Sequence, residues 1–318
     1  MENLIDRSSR LPLLLAVASA LASVYLGFFA LDLSGIFQAM HWLAIPLLLI
    51  AIGLFGFHGF HLVRHHTQSI LPLYRNRAFF IAFPIASLGL LINQPIGYKT
   101  VLDEILLANT AQQIYKDSRP FVAKEVLPGE DGPTVQRSSL DKRALFYPTL
   151  LAGVHHLTGY RTSNGFYLNI GLTVVILFIL WGIAYRAGGP RGAIFGIFLI
   201  ATLPLLAMTG TSGGFETLNL LFILFLFLGV YAVFLRSDAT SISFLAATSV
   251  LLAQIRYESV LFILITVAVV LLAWWKKRTI ILPVTLILAA PLLLNVAWQN
   301  EVFEANPGTY QLESEPDK

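Results

Sequence analysis

The feature that most constrains this chain is a series of apolar stretches, several of them reaching 18 or more residues. About 20 apolar residues wound as a helix cross the roughly 30 Å of hydrocarbon in a bilayer. With 56% apolar and 12% charged residues and a mean hydropathy of +0.73, the chain is far from the roughly 25% charge of an average soluble domain. One soluble core in 318 residues cannot hide that much apolar surface, so the bilayer has to act as solvent. Backbone groups in lipid must be satisfied within their own segment, which makes the spans helical.

Nine spans are predicted, at 11–31, 43–63, 78–94, 166–185, 192–209, 215–235, 241–256, 259–275 and 279–298. The fold class is all-α and integral to the membrane, a multi-span helical bundle. The first run lacks a small-residue cleavage site and is too long for a signal peptide, so it reads as an anchor. With no cysteine, thiolate catalysis, disulfides and sulfur-ligated zinc are excluded. The net charge of +3 carries no sign of nucleic-acid binding.

Lys and Arg in the connections set the orientation. A cytoplasmic N-terminus places Arg7, Arg10, Arg64, Arg75, Arg77, Arg186, Arg191, Arg236, Lys276, Lys277 and Arg278 inside, 11 of the 21 basic residues. Of 18 carboxylates only Glu2, Asp6 and Asp238 fall on that side. The segment after the third span then faces the periplasm or a lumen. It is the longest stretch unfit for lipid, and between Lys99 and Arg161 it holds seven carboxylates.

Within that segment, LDEILLANTAQQIYKD predicts a helix lying on the outer leaflet, with Asp103 placed to cap its start. RPFVAKEVLPGEDGPTVQRSS predicts an irregular loop. LFYPTLLAGVHHLTGY predicts a second surface helix closed by Gly159.

Asp103 and Glu104 are adjacent and point about 100° apart on a helix, so they do not form a facing acid and base. One carboxylate suffices, however, to deprotonate an acceptor hydroxyl that attacks a phosphate-linked sugar. Phosphate leaves without a general acid, and cations cover the developing charge. Two roles are open to Asp103, base or helix cap. Lys142 and Arg143 precede the second surface helix, as phosphate ligands or as interfacial anchors. Arg256 and Glu258 lie between apolar runs, either functional or a mutual ion pair in an outer turn. Glu216 opens the sixth span, where a helix N-terminus alone favours an acid. His155 and His156 diverge on their helix, and either touches substrate or sits at the interface. His58, His61, His65 and His66 have partly helical spacing but no nearby inside carboxylate, so no metal site is expected. No phosphate-binding glycine loop or Asp-x-Asp pair occurs, and no cofactor is expected.

The order of span, Asp103-Glu104 helix, loop, Lys142-initiated helix (DKRALFYPTLLAGVHHLTGY) and string of spans resembles the GT-C superfamily of polyprenyl-phosphate-sugar glycosyltransferases. The likeness is greatest to protein mannosyltransferase-like members and to the aminoarabinose transferases that modify lipid A. Leu102-Asp103-Glu104 is similar to that family's aromatic-Asp-Glu, with Leu in place of the aromatic residue. Lys142-Arg143-Ala144-Leu145 stands where related transferases carry a Lys-Pro-Pro-Leu-like stretch, without the prolines. The resemblance implies a GT-C-like module over 78–300 with an outer loop at 95–161. It also implies a two-span N-terminal addition with a cytoplasmic loop over 1–77, and an outer tail over 301–318 truncated relative to the family pattern.

By the same resemblance, Asp103, with Glu104 beside it, is the catalytic base, and Lys142 contacts the lipid phosphate. Arg143, Arg256, Glu258, Glu216 and His155 complete the expected substrate site. The expected activity moves a sugar from a polyprenyl-phosphate donor to a protein, lipid or glycan acceptor on the outer face of a bacterial inner membrane. A transporter or flippase of a lipid-linked or amphipathic solute is the alternative. Ionisable groups at the outer edge and the lack of paired halves argue against it.

Overall fold

The computed structural model describes residues 7–129, 132–140 and 143–305. Two expectations, the role of Lys142 and the tail from residue 306 onward, lie outside these residues. The chain runs α1 (Arg7–Phe28), α2 (Leu33–Tyr74), α3 (Arg77–Ile92), α4 (Val101–Asp117), β1 (Val122–Gly129), β2 (Gly132–Ser139), α5 (Phe146–Thr158) and α6 (Asn164–Ala201). It continues through α7 (Pro204–Gly210), α8 (Glu216–Arg236), α9 (Ala239–Ala253), a 3₁₀ turn at Tyr257–Leu261, α10 (Phe262–Lys277), α11 (Val284–Leu292) and α12 (Leu294–Ala305).

Among the described residues, six helical segments are long and apolar enough to cross a membrane. Leu14, Leu21, Phe57, Phe80, Phe195, Leu264 and Trp275 project outward from the bundle, as expected where lipid covers the surface. The molecule is a helical membrane protein.

The core is built around α9. Every residue from Ser241 to Ala253 is buried, the mark of a helix surrounded by protein on all sides. Its Ala, Ser and Thr content lets neighbours approach closely, and Thr248 Oγ1 returns its hydrogen to Phe244 O at 2.7 Å. Around it pack Met40, Ala44 and Leu48 of α2, Phe222 and Leu226 of α8, Val270 of α10 and Leu292 of α11. A second cluster joins Ala82, Ala86 and Leu90 of α3 to Leu177, Trp181, Ala193 and Ile197 of α6.

Two local expectations are corrected. The loop expected between the surface helices is an antiparallel hairpin, pairing Val122 with Ser139 through to Gly129 with Gly132. The two segments exchange backbone hydrogen bonds, and composition alone did not reveal the pairing. The second span extends well beyond 43–63 as one 42-residue helix, with an N-cap in which Asp32 Oδ1 accepts from Gly35 N at 2.9 Å. That backbone bond and one from Ser34 hold the Asp32 carboxyl below its usual range. Within α6 the helix breaks at Gly188 and Gly189 and doubles back, so that Gly196 lies against Ala184. Gly189, at φ 62° and ψ −158°, occupies a region essentially reserved for glycine. The expected break between the fourth and fifth spans falls there.

The N-terminal helices are not peripheral. Asn295 Nδ2 donates to Ala44 O at 2.9 Å and to Gln254 Oε1 at 3.1 Å, uniting α12, α2 and the end of α9. Trp298 Nε1 donates to Leu26 O at 3.1 Å, and Ser19 Oγ to Ile287 O at 2.9 Å.

Candidate active site

The N-termini of α4, α5 and α8 and the 3₁₀ turn meet at one end of the bundle. Helix starts expose unsatisfied N–H groups and carry partial positive charge, so acidic side chains collect there. The expected Asp103 cap is not formed. Thr100 occupies the cap position without a side-chain bond, and Asp103 instead pairs with Arg143 at the head of α5. Arg143 Nη2 donates to Asp103 Oδ1. The Asp103 side chain is 40% exposed, and its Oδ2 has no partner among the described residues.

Glu104 behaves oppositely. It is 2% exposed, and its Oε1 accepts from the backbone N–H groups of Lys99 at 2.8 Å and Thr100 at 2.7 Å. Oε2 accepts from Gly213 N at 2.7 Å. Three backbone donors therefore hold the carboxylate, which fastens the start of α4 to the Thr-Ser-Gly-Gly loop before α8. A Cβ at Gly213 would lie 3.1 Å from Oε2 and 3.3 Å from the Phe166 ring, so the close approach depends on glycine. These contacts anchor the Glu104 carboxylate in place.

The same loop is held from its other side. Asn169 Nδ2 donates to Ser212 O at 2.8 Å and Gly214 O at 2.7 Å, and Gly97 N donates to Thr211 O at 3.1 Å. Asn169 is fully buried and went unnoticed in the sequence, although an amide within an apolar run is the signal that marks it.

Glu216 lies within electrostatic reach of Arg256, Glu104 and Asp103. Asp103 also reaches Tyr257. Arg256 and Glu258 form the ion pair that the sequence left open, with bonds of 3.2 and 3.1 Å. The Arg256 guanidinium also stands 5.3 Å from the centroid of the Phe215 ring. Fold and charge thus gather Asp103, Arg143, Glu216, Arg256 and Glu258 at one end. The backbone of Arg143 is fixed from behind by Gln299 Nε2, which donates to its carbonyl at 3.0 Å.

His155 sits apart from that group, at the far end of α5. It lines a recess with Tyr98, Glu104, Tyr160, Arg161 and Phe166 whose volume is about 10 Å³, enough for one water. Asn164 Nδ2 lies 2.8 Å from His155 Nδ1 and 2.9 Å from Gly159 O. Because a carbonyl only accepts, the amide nitrogen donates, and His155 Nδ1 is the acceptor. Burial and the neighbouring His156 hold the His155 pKa below its ordinary value. In the same region, burial first and then Tyr160 and Glu104 push the Tyr98 hydroxyl up. His58 Nε2 lies 2.8 Å from Thr285 Oγ1, inside the bundle.

The class so defined is a helical membrane protein with an acid and its cationic partners collected at one end of the bundle. No family model, curated protein or solved structure matches the chain.

Proposed function

We propose that the protein is a membrane-embedded glycosyltransferase that moves a sugar from a polyprenyl-phosphate carrier to an acceptor hydroxyl. The observation that carries this reading is the carboxylate of Asp103, with one oxygen held by Arg143 and the other open, beside Arg256, Glu216 and Tyr257. Such an arrangement orients a base without using up its capacity to accept a proton.

In the reaction, Asp103 Oδ2 takes the proton of the acceptor hydroxyl. The freed electron pair attacks the anomeric carbon from the face opposite the phosphate and inverts it. The bond between that carbon and the phosphate oxygen breaks, and its electron pair departs with the lipid phosphate. Arg143 and Arg256, together with Lys142 one residue before Arg143, supply the positive charge that meets this leaving group. Lys and Arg in the connections favour a cytoplasmic N-terminus, which puts the reacting end on the periplasmic or luminal face.

The test is transfer of radiolabelled sugar from polyprenyl-phosphate donors to membrane extracts by the purified protein. Asp103→Asn is expected to abolish transfer while expression and membrane insertion stay intact. Near-normal turnover by that variant would remove Asp103 from the mechanism.

A further inference from the structure

An apolar groove runs along the return limb of α6, lined by Arg191, Ile194, Phe195, Phe198, Leu199 and Thr202, with a volume of about 610 Å³. The spacing of these residues places them on one helical stripe. The opposite stripe, Ala193 and Ile197, is buried in the second core cluster. From Arg191 to Thr202 the groove extends about 16 Å at 1.5 Å per residue, the depth of one leaflet in a hydrocarbon layer of roughly 30 Å.

Its polar end is cationic. Arg191 makes no ion pair or hydrogen bond among the described residues, Arg186 lies just across the helix break, and no carboxylate occurs between 185 and 203. The cationic end of the groove is also remote from the candidate active site. Gly165 borders the recess beside Glu104, and Arg186 lies about 32 Å further along the same limb.

We propose that this groove binds an anionic glycerophospholipid, with the phosphate at Arg191 and one acyl chain laid over Phe195, Phe198 and Leu199. A basic position beside an apolar intramembrane groove is a common way to recognise such headgroups. The groove is one leaflet deep, which matches a glycerophospholipid chain rather than a polyprenyl chain. Its distance from Asp103 separates it from donor binding, so the assignment stands independently of the proposed activity.

Purified full-length protein would be titrated with phosphatidylglycerol and, separately, with phosphatidylcholine of identical chains, and the retained lipid counted by native mass spectrometry. Phosphatidylglycerol should be retained in preference, and Arg191→Gln should reduce that retention about fivefold, the loss expected for one cation. Phosphatidylcholine retention should not change, and Arg191→Lys should restore most of the difference. Equal retention of the two lipids, or an Arg191→Gln variant that melts normally and keeps its phosphatidylglycerol, would overturn the site. In a third arm, undecaprenyl phosphate displacing phosphatidylglycerol at equal concentration would overturn the choice of ligand. If Arg191→Gln does not fold, Phe195→Ala is expected to lower retention of both lipids, and unchanged retention by that variant would count against the groove.

Discussion

Asp103 and Glu104 are neighbours in sequence with opposite environments, and the contrast makes their contributions separable. Glu104 is buried and accepts three backbone N–H groups. In Glu104→Gln an amide NH₂ must face at least one of those donors, leaving a buried N–H unsatisfied at a cost of about 1–3 kcal/mol. That variant should show a lower melting temperature in detergent. Asp103 is 40% exposed but its Arg143 partner only 7%, so the pair is half-buried and worth more than one at the open surface. Asparagine keeps an oxygen for that guanidinium, and Asp103→Asn should lose less melting temperature than Glu104→Gln while losing transfer. Equal melting losses for the two variants would contradict the division of roles. The sequence showed that the two acids diverge, because adjacent helical positions always do. It did not show which one turns inward, because Gly213, the donor that captures Glu104, lies more than 100 residues away.

At the scale of elements, period and length located the helices, and their contacts explain where the reading was thin. The segment at 241–256 was predicted as a span, a short one. As α9 it proves to be the buried centre, where small residues permit close packing. The hairpin of β1 and β2 was missed because its pairing is a property of two segments together, and neither has a strong apolar alternation of its own. The break between the spans predicted at 166–185 and 192–209 was visible in the sequence, and the structure assigns its strain to a single position. Gly189→Ala places a side chain in a region that L-residues avoid, at about 1–3 kcal/mol. Gly188, at φ −142°, accepts alanine with ordinary backbone geometry. A thermal melt of both variants checks this: a loss confined to Gly189→Ala is expected, and equal losses would refute the assignment.

For the molecule as a whole, the first two helices belong to the packing that supports the candidate site. Met40, Ala44 and Leu48 are buried against the centre of the bundle. Asn295 reaches from Ala44 to Gln254, and Gln254 O in turn receives the N–H of Phe146 at 3.0 Å, at the head of α5. A chain beginning at residue 78 would take Ala44 O away from the Asn295 amide and leave a broad apolar face uncovered. It is expected to elute as aggregate rather than as a single peak in size-exclusion chromatography, and a monodisperse, folded product would show the opposite.

The 42 residues of α2 give it a length of about 63 Å, twice the thickness of the hydrocarbon it crosses. Near its beginning, Phe37 and His41 hold Phe121, just before the hairpin. At its other end, Tyr74 stacks on Phe178 of α6 at 4.0 Å. A single strut therefore reaches from the hairpin to the basic turns on the far side. Tilting it by a few degrees would register on both membrane faces at once, like a lever pivoting in the bilayer.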